Sequence, residues 1–97
     1  MKYTPRHITI DAVQVTGPGT VEGGIPRWLQ HLINEDVIWL YDNNWDQRKG
    51  FGRESTYEDD VAEPGDYIIK LPSGVVTFIW GEIFEQVFEP AKKLVNS

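Results

Sequence analysis

Cysteine is absent from this 97-residue chain, which excludes a disulfide framework and any metal site built from thiolates. Long hydrophobic runs are absent too, since a membrane-spanning helix needs roughly 20 consecutive apolar residues. Residues 1–11 lack the apolar segment of a signal peptide. These absences predict a soluble, intracellular protein with no membrane partner.

Lysine and arginine are missing from one segment, the acidic loop at about residues 54–66. It carries six acids, namely Glu54, Glu58, Asp59, Asp60, Glu63 and Asp66. The nine acids elsewhere are balanced by nine basic residues, so this loop holds the whole net charge of −6. Nucleic acids and anionic membranes both require a basic surface, so we expect no direct binding to either. The acidic loop is either a solvated loop or a negative patch, and for such a patch the complementary partner is a protein with a basic surface.

Residues for nucleophilic catalysis are scarce. The chain has three serines and two histidines, and no nucleophile, base and orienting group occur in a recognisable arrangement. His31 falls on the flank of a predicted helix, where a partly exposed residue is more common than a general base. We therefore predict that the protein is not an enzyme.

One segment has the beginning of a calcium-binding loop. In DNNWD, the side chains of Asp42, Asn44 and Asp46 occupy the first three ligand positions. The position that needs glycine holds Gln47, and the one that needs a bidentate glutamate holds Arg53. A turn stabilised by Asx side chains is the better interpretation, and we expect no metal and no cofactor.

Alternating apolar and β-branched residues predict the strands. The clearest are residues 7–17, residues 37–41, and a hairpin of residues 67–71 and 75–80 joined by PSG. A weaker strand is predicted at about residues 49–56. The glycine-rich segment 17–24 and the acidic segment 57–63 are expected to be loops.

Helical spacing is strongest in residues 25–35, where Trp28 and Leu32 lie four residues apart and Pro26 suits the first turn. Residues 82–89 fit either a helix or an edge strand, and we favour a helical turn at 82–84 followed by a strand. The prediction is a single α+β domain over residues 1–97, in which one main helix (about residues 26–35) packs on a mostly antiparallel sheet of five or six strands. Residues 91–97 are expected to form a flexible tail.

The four tryptophans divide into two groups. Trp28, Trp39 and Trp80 fall on predicted apolar faces and are expected to lie in the core. Trp45 falls at a turn tip without apolar neighbours in sequence, where it is either a contact residue or a side chain folded back onto the sheet. The predicted partner-binding residues are therefore Trp45, Glu54, Glu58, Asp59, Asp60 and Glu63.

The stretch PGDY, residues 64–67, has a simpler explanation than a site. Proline at the first turn position and glycine at the next satisfy a turn that requires a positive φ angle. Asp66 can cap that turn and Tyr67 can lean on the sheet. We predict that the stretch forms the corner that begins the hairpin.

Four short motifs together resemble a group of small, mostly uncharacterised bacteriophage and prophage proteins. They are Y…P…I…DAVQ.TG, IP.WL, PGDYII and IFE…FEP, at residues 3–17, 25–29, 64–69 and 83–90. The chain departs from the group in PSGVVTFIWGE, where a polar, proline-containing run is usual, and in Phe88, where tyrosine is common. The resemblance implies a phage or prophage origin and an accessory role in the cytoplasm of a bacterial host, but no activity.

These observations predict a non-enzymatic accessory protein that binds a host or phage macromolecule through an acidic and aromatic surface. Inhibition of a host defence system is one version of this function. Two alternatives stay open: a sponge-like protein that binds a small molecule or nucleotide in a pocket lined by Trp28, Trp39 and Tyr67, and a minor virion component. An unpaired edge strand in so small a sheet also allows a homodimer.

Overall fold

A computed structural model of the chain describes residues 1–3, 8–55 and 60–89. Within these ranges the chain forms seven strands and two helices. In order they are β1 (Asp11–Gly17), β2 (Thr20–Val21), α1 (Arg27–Asn34), β3 (Ile38–Asp42), β4 (Lys49–Arg53), β5 (Asp60–Ala62), β6 (Tyr67–Lys70), β7 (Val76–Ile79) and α2 (Gly81–Val87).

The strands form two antiparallel sheets, one with the order β2-β1-β6-β7 and one with the order β3-β4-β5. The α+β class is confirmed, but the prediction of one sheet with one main helix is wrong. Strand β1 has partners on both edges, β2 and the distant β6, and β6 has partners on both edges too. The central strands therefore offer no edge to β3–β5, which pair locally as a separate meander.

Two short strands occupy segments that were predicted to be loops. Strand β2 turns back on β1 within the glycine-rich segment, and β5 pairs with β4 within the acidic segment. Both strands are only two or three residues long, too short to show an alternating pattern in the sequence. The tail at residues 91–97 lies outside the described residues.

Helix α1 confirms the strongest helical prediction and has a defined end. Pro26 precedes its first residue in an extended conformation, and Leu29 is its fully buried residue. At its carboxyl end Asp36 adopts a φ of 61°, donates to the carbonyl of Ile33, and lets Val37 donate to the carbonyl of Leu32. This is the Schellman arrangement, which satisfies two terminal carbonyls and turns the chain into β3.

Helix α2 replaces the strand that was expected after residues 82–84. It runs to Val87 because Phe84 and Phe88, four residues apart, stack on each other at 4.9 Å, and Phe84 stacks on Tyr67 at 3.7 Å between ring centroids. Trp80 immediately precedes the helix and is 73% exposed, so its predicted place in the core is wrong. Neither described helix is long and apolar enough to cross a bilayer.

One hydrophobic cluster joins both sheets and α1. Its buried members are Val15, Val21, Leu29, Ile38, Phe51, Ala62 and Ile68. They come from six strands and one helix, so each sheet supplies one apolar face to a shared core. The burial of these side chains provides the main stabilising contribution that a domain of this size has available.

Arg53, at the end of β4, connects the two sheets by polar contacts. Its Nε donates to the carboxylate of Asp60 within its own sheet at 2.9 Å. Its terminal nitrogens donate to the carbonyl of Val76 at 3.0 Å and to the hydroxyl of Thr77 at 3.3 Å, both on β7. The guanidinium also lies over the ring of Phe78, 4.7 Å from its centroid. One side chain thus links β4, β5 and β7.

Candidate functional site: an acidic groove

The PGD corner is built as the sequence predicted. The amide of Asp66 donates to the carbonyl of Glu63 at 2.8 Å, and Gly65 has a φ of 99°. The Asp66 carboxylate accepts from the amide of Glu63 at 3.0 Å and from the amide of Gly81 at 3.2 Å. It therefore closes the turn with one oxygen and caps the first residue of α2 with the other.

The corner is held rigidly against β1. The amide of Val15 donates to the carbonyl of Asp66, and the amide of Gly65 donates to the carbonyl of Val15, both at 2.8 Å. The Gln14 side chain donates to the carbonyl of Gly65 at 3.3 Å. A Cβ at Gly81 would lie 2.2 Å from that same carbonyl oxygen, so only glycine allows α2 to begin this close to the corner.

Between the corner and α2 lies an open groove of about 670 Å³, here called the acidic groove. Among the residues that the structure describes, its lining includes four carboxylates and no lysine or arginine. The lining residues are Gln14, Glu63, Pro64, Gly65, Asp66, Trp80, Gly81, Glu82 and Glu85. Because the Asp66 oxygens are occupied by backbone amides, Glu63, Glu82 and Glu85 are the exposed acids that face outward. None of these three forms a salt bridge with another described residue.

An apolar stripe on α2 borders the groove. Trp80, Ile83 and Val87 are 73%, 46% and 54% exposed. Their three- and four-residue spacing places them on one side of the helix, whereas Phe84 packs on Tyr67. Scattered apolar residues are normal on a surface, but a stripe beside unpaired carboxylates combines the two features of a contact surface.

The negative charge of the groove residue Glu85 also acts on the phenol of Tyr67. Burial raises the pKa of the Tyr67 phenol, and the negative charges of Glu85 and Glu22 raise it further. All three causes disfavour the phenolate, the first by desolvation and the others by like charge. The neutral phenol therefore contributes stability below the ordinary pKa of 10.0, and that contribution is lost as pH rises through the higher folded value.

We expect Glu85→Gln to lower the pKa of Tyr67 without returning it to the ordinary value, because burial is the largest cause and remains. The Tyr67 ring carbon that bears the hydroxyl, followed by NMR against pH, measures this directly. Glu54→Gln serves as the control, since Glu54 is not among the causes of the shift. An unchanged Tyr67 titration in the Glu85 variant contradicts the electrostatic coupling.

The residues predicted to bind a partner are spread over the molecule. Glu63 lines the acidic groove, and Glu54 is exposed just after β4. Asp60 lies in β5 and is bonded to Arg53. Trp45 is 96% exposed at the β3–β4 turn and does not line the groove. Glu58 and Asp59 lie outside the described residues.

The exposed aromatic and acidic side chains of the groove that are not among the predicted contacts are Trp80, Glu82 and Glu85. Trp80 was assigned to the β7 strand, and the helical spacing that begins at Gly81 was assigned to a single turn. The i,i+4 spacing of Ile83–Val87 and Phe84–Phe88 fits a helix as well as an edge strand, and choosing the helix would have placed Glu82 and Glu85 on its polar side.

The three aromatic residues that were expected to line a small-molecule pocket, Trp28, Trp39 and Tyr67, make different contacts. Trp28 lines a different groove beside α1, in which neither of the other two takes part. Tyr67 stacks on Phe84, and the Trp39 indole lies across β4, where a Cβ at Gly52 would be 2.7 Å from its Nε1. Among the described residues, no group of three or more His, Cys, Asp or Glu side chains is arranged to hold a metal ion.

Comparisons with known proteins give no match. No protein-family model, no curated protein and no solved structure is similar enough to the chain to be assigned to it.

Proposed function

We propose that the protein is a non-enzymatic accessory protein of phage or prophage origin that binds a macromolecule with a basic surface. The supporting observation is the acidic groove, where Glu63, Glu82 and Glu85 are exposed together beside Trp80. The resemblance of the four motifs supports the origin. Inhibition of a host defence system is one version of this proposal.

The charges of the groove favour a cationic partner for a physical reason. Three exposed carboxylates without a salt-bridge partner among the described residues leave a local negative field. Such a field raises the rate of encounter with a basic surface and repels acidic ones. The hydrogen bonds that the amides of Glu63 and Gly81 donate to the Asp66 carboxylate hold the two walls in place, so little ordering is required upon binding.

The apolar stripe can contribute binding affinity that exposed charges alone do not provide. Exposed charge pairs contribute little affinity, whereas an aromatic side chain that becomes buried at an interface can dominate it. Trp80 lines the groove and also begins the stripe of Ile83 and Val87. We therefore expect a partner surface that offers lysine or arginine to the groove and an apolar patch to the stripe.

The other predicted contacts remain part of the proposal. Trp45 and Glu54 are exposed and accessible to a partner, although they do not line the groove. Asp60 is less suited, because its carboxylate is bonded to Arg53. Among the predicted contacts that the structure describes, Glu63 alone also lines the groove, and we rank it first.

Reversing three charges of the groove tests the proposal. The variant Glu63→Lys, Glu82→Lys, Glu85→Lys should capture the partner from host lysate at least about tenfold less, as judged by quantitative mass spectrometry. Trp80→Ala should also weaken capture, and because Trp80 is exposed it should leave the unfolding temperature nearly unchanged.

The matched control carries the same change in charge elsewhere: Asp11→Lys, Glu35→Lys, Asp42→Lys. These acids are exposed and do not line the groove. The proposal predicts that the control retains the partner and that wild-type capture weakens as salt is raised. If the groove variant and its control capture the same proteins to the same extent, the acidic groove is not the binding surface.

A further inference from the structure

A second groove, of opposite charge, lies between α1 and the β6–β7 hairpin. It has a volume of about 560 Å³ and is here called the cationic groove. Its described lining residues are Arg27, Trp28, His31, Leu32, Lys70, Gly74 and Val76, and none of these is an acid. In a chain with a net charge of −6, a groove whose described lining holds no carboxylate is unexpected.

The floor of this groove is apolar. Trp28, Leu32 and Val76 are half-buried and pack on the hydrophobic core with their inner sides. Their outer sides line the groove, so an indole and two aliphatic side chains are presented to a ligand. Gly74 has a φ of 96° and would have no atom within 4 Å of a Cβ, which leaves the hairpin end of the groove open.

The cationic side chains stand on both walls. Arg27 begins α1, and Lys70 ends β6. Neither forms a salt bridge with another described residue, and Asp11, which lies opposite Lys70 on β1, makes no ion pair with it. His31 is bonded to Glu35 on its own helix, so Arg27 and Lys70 are the two groups available to an anion.

We propose that the cationic groove binds a small organic anion with an apolar or aromatic body. The anionic group, a carboxylate or a phosphate, pairs with Arg27 and Lys70, and the body lies against Trp28 and Leu32. Guanidinium and ammonium groups form charge-assisted hydrogen bonds with either anion, and an indole face accepts a planar body. This ligand site is independent of the proposed macromolecular partner.

Size and charge both favour a small ligand over a polymer. A volume near 560 Å³ lies within the range of small-molecule sites, which are mostly apolar with a few polar groups that fix orientation. A nucleic acid would place many phosphates against a protein of net charge −6, and the excess acids would repel it. A ligand with one or two charges experiences mainly the local field of Arg27 and Lys70.

Three probes that share a naphthalene ring test the proposal: 2-naphthoate, 2-naphthyl phosphate and the neutral 2-naphthamide. Inorganic phosphate tests the charge without the body. We expect one or both anionic naphthyl probes to shift the indole N–H resonance of Trp28, assigned from the Trp28→Phe spectrum. We expect the neutral amide and inorganic phosphate to bind at least about fivefold more weakly. The stronger of the two anionic probes identifies the preferred head group.

The variant Arg27→Gln, Lys70→Gln should weaken the anionic probe at least about fivefold and leave the weak binding of the amide unchanged. The control Arg48→Gln, Lys49→Gln removes the same charge from the β3–β4 hairpin and should leave the dissociation constant within about twofold of wild type. Equal binding of the amide and the anions, no shift at Trp28, or equal effects of the two double variants would each overturn the proposal.

Discussion

Replacing Gly50 with alanine is expected to lower the free energy of unfolding by about 3 kcal/mol or more. The Cβ of alanine would lie 1.8 Å from the carbonyl oxygen of Ala62 on the neighbouring strand. Gly50 also has a φ of 141°, a conformation that residues with a side chain rarely adopt. Relief of the clash would require β4 and β5 to separate.

The surroundings of Gly50 leave it little room to move. It lies opposite Tyr41 on β3, and its carbonyl accepts from the amide of Gly19 at 3.0 Å. A shift of β4 away from Ala62 would therefore disturb the pairing with β3 and the contact with the β1–β2 turn. For a domain with a typical stability of about 5–15 kcal/mol, this loss is a large fraction of the total.

Gly23→Ala is the control that separates the conformational effect from the clash. Gly23 has a φ of 78°, and a Cβ there would meet no atom within 4 Å. Its substitution should lower the unfolding free energy by about 1 kcal/mol, measured by urea denaturation under the same conditions. Equal losses in the two variants would show that the close approach of Ala62 has no energetic consequence.

The second large effect is expected from Arg53→Ala, at about 2–3 kcal/mol. The substitution removes the bond to Asp60 and the two bonds to β7, and it uncovers the ring of Phe78. The side chain is 29% exposed, so solvent replaces part of what is lost and the effect stays below that of a fully buried charge.

Two further variants test whether the connection between the sheets is the cause. Arg53→Lys keeps the positive charge but not the planar guanidinium that donates to several acceptors at once. We expect it to recover about half of the stability that Arg53→Ala loses. Arg48→Ala removes an arginine of similar exposure whose salt bridge, to Asp46, stays within one turn, and it should cost below about 1 kcal/mol. The bridging role is refuted if Arg48→Ala and Arg53→Ala destabilise the protein equally in thermal unfolding.

Local patterns predicted the elements well where several residues agreed. Helix α1 followed from the spacing of Trp28 and Leu32, and the β6–β7 hairpin and PGD corner followed from turn residues between apolar runs. Helix α2 was misjudged because Phe84 and Phe88 fit either period until Tyr67 provides the surface on which they stack. That surface lies more than ten residues away in the chain and leaves no local signal.

The pairing of strands and the site depended on such distant contacts. Nothing near β1 in sequence indicates that it pairs with β6. Because this pairing fills the second edge of β1, strands β3–β5 form a separate sheet. The acidic groove could be predicted only through Glu63, because Glu82 and Glu85 join it by the docking of α2 on the corner. No sequence pattern around Arg53 predicted its contacts with β7.

Because the carboxylate of Asp66 supports both the turn and the start of α2, mutations of the groove residues must be interpreted with care for its structural role. Its two oxygens bind the amides of Glu63 and Gly81, so the charge belongs to the framework and not to the surface offered to a partner. We expect a substitution that removes both oxygens, such as Asp66→Ala, to release the turn and the start of α2 together, and so to shift Trp80, Glu82 and Glu85 at once. A substitution of Asp66 would therefore lower partner affinity as strongly as that of a hot-spot residue, although Asp66 does not touch the partner. Double-mutant cycles that pair Asp66 with Glu82 or Glu85 distinguish residues that contact the partner from a residue that only positions them.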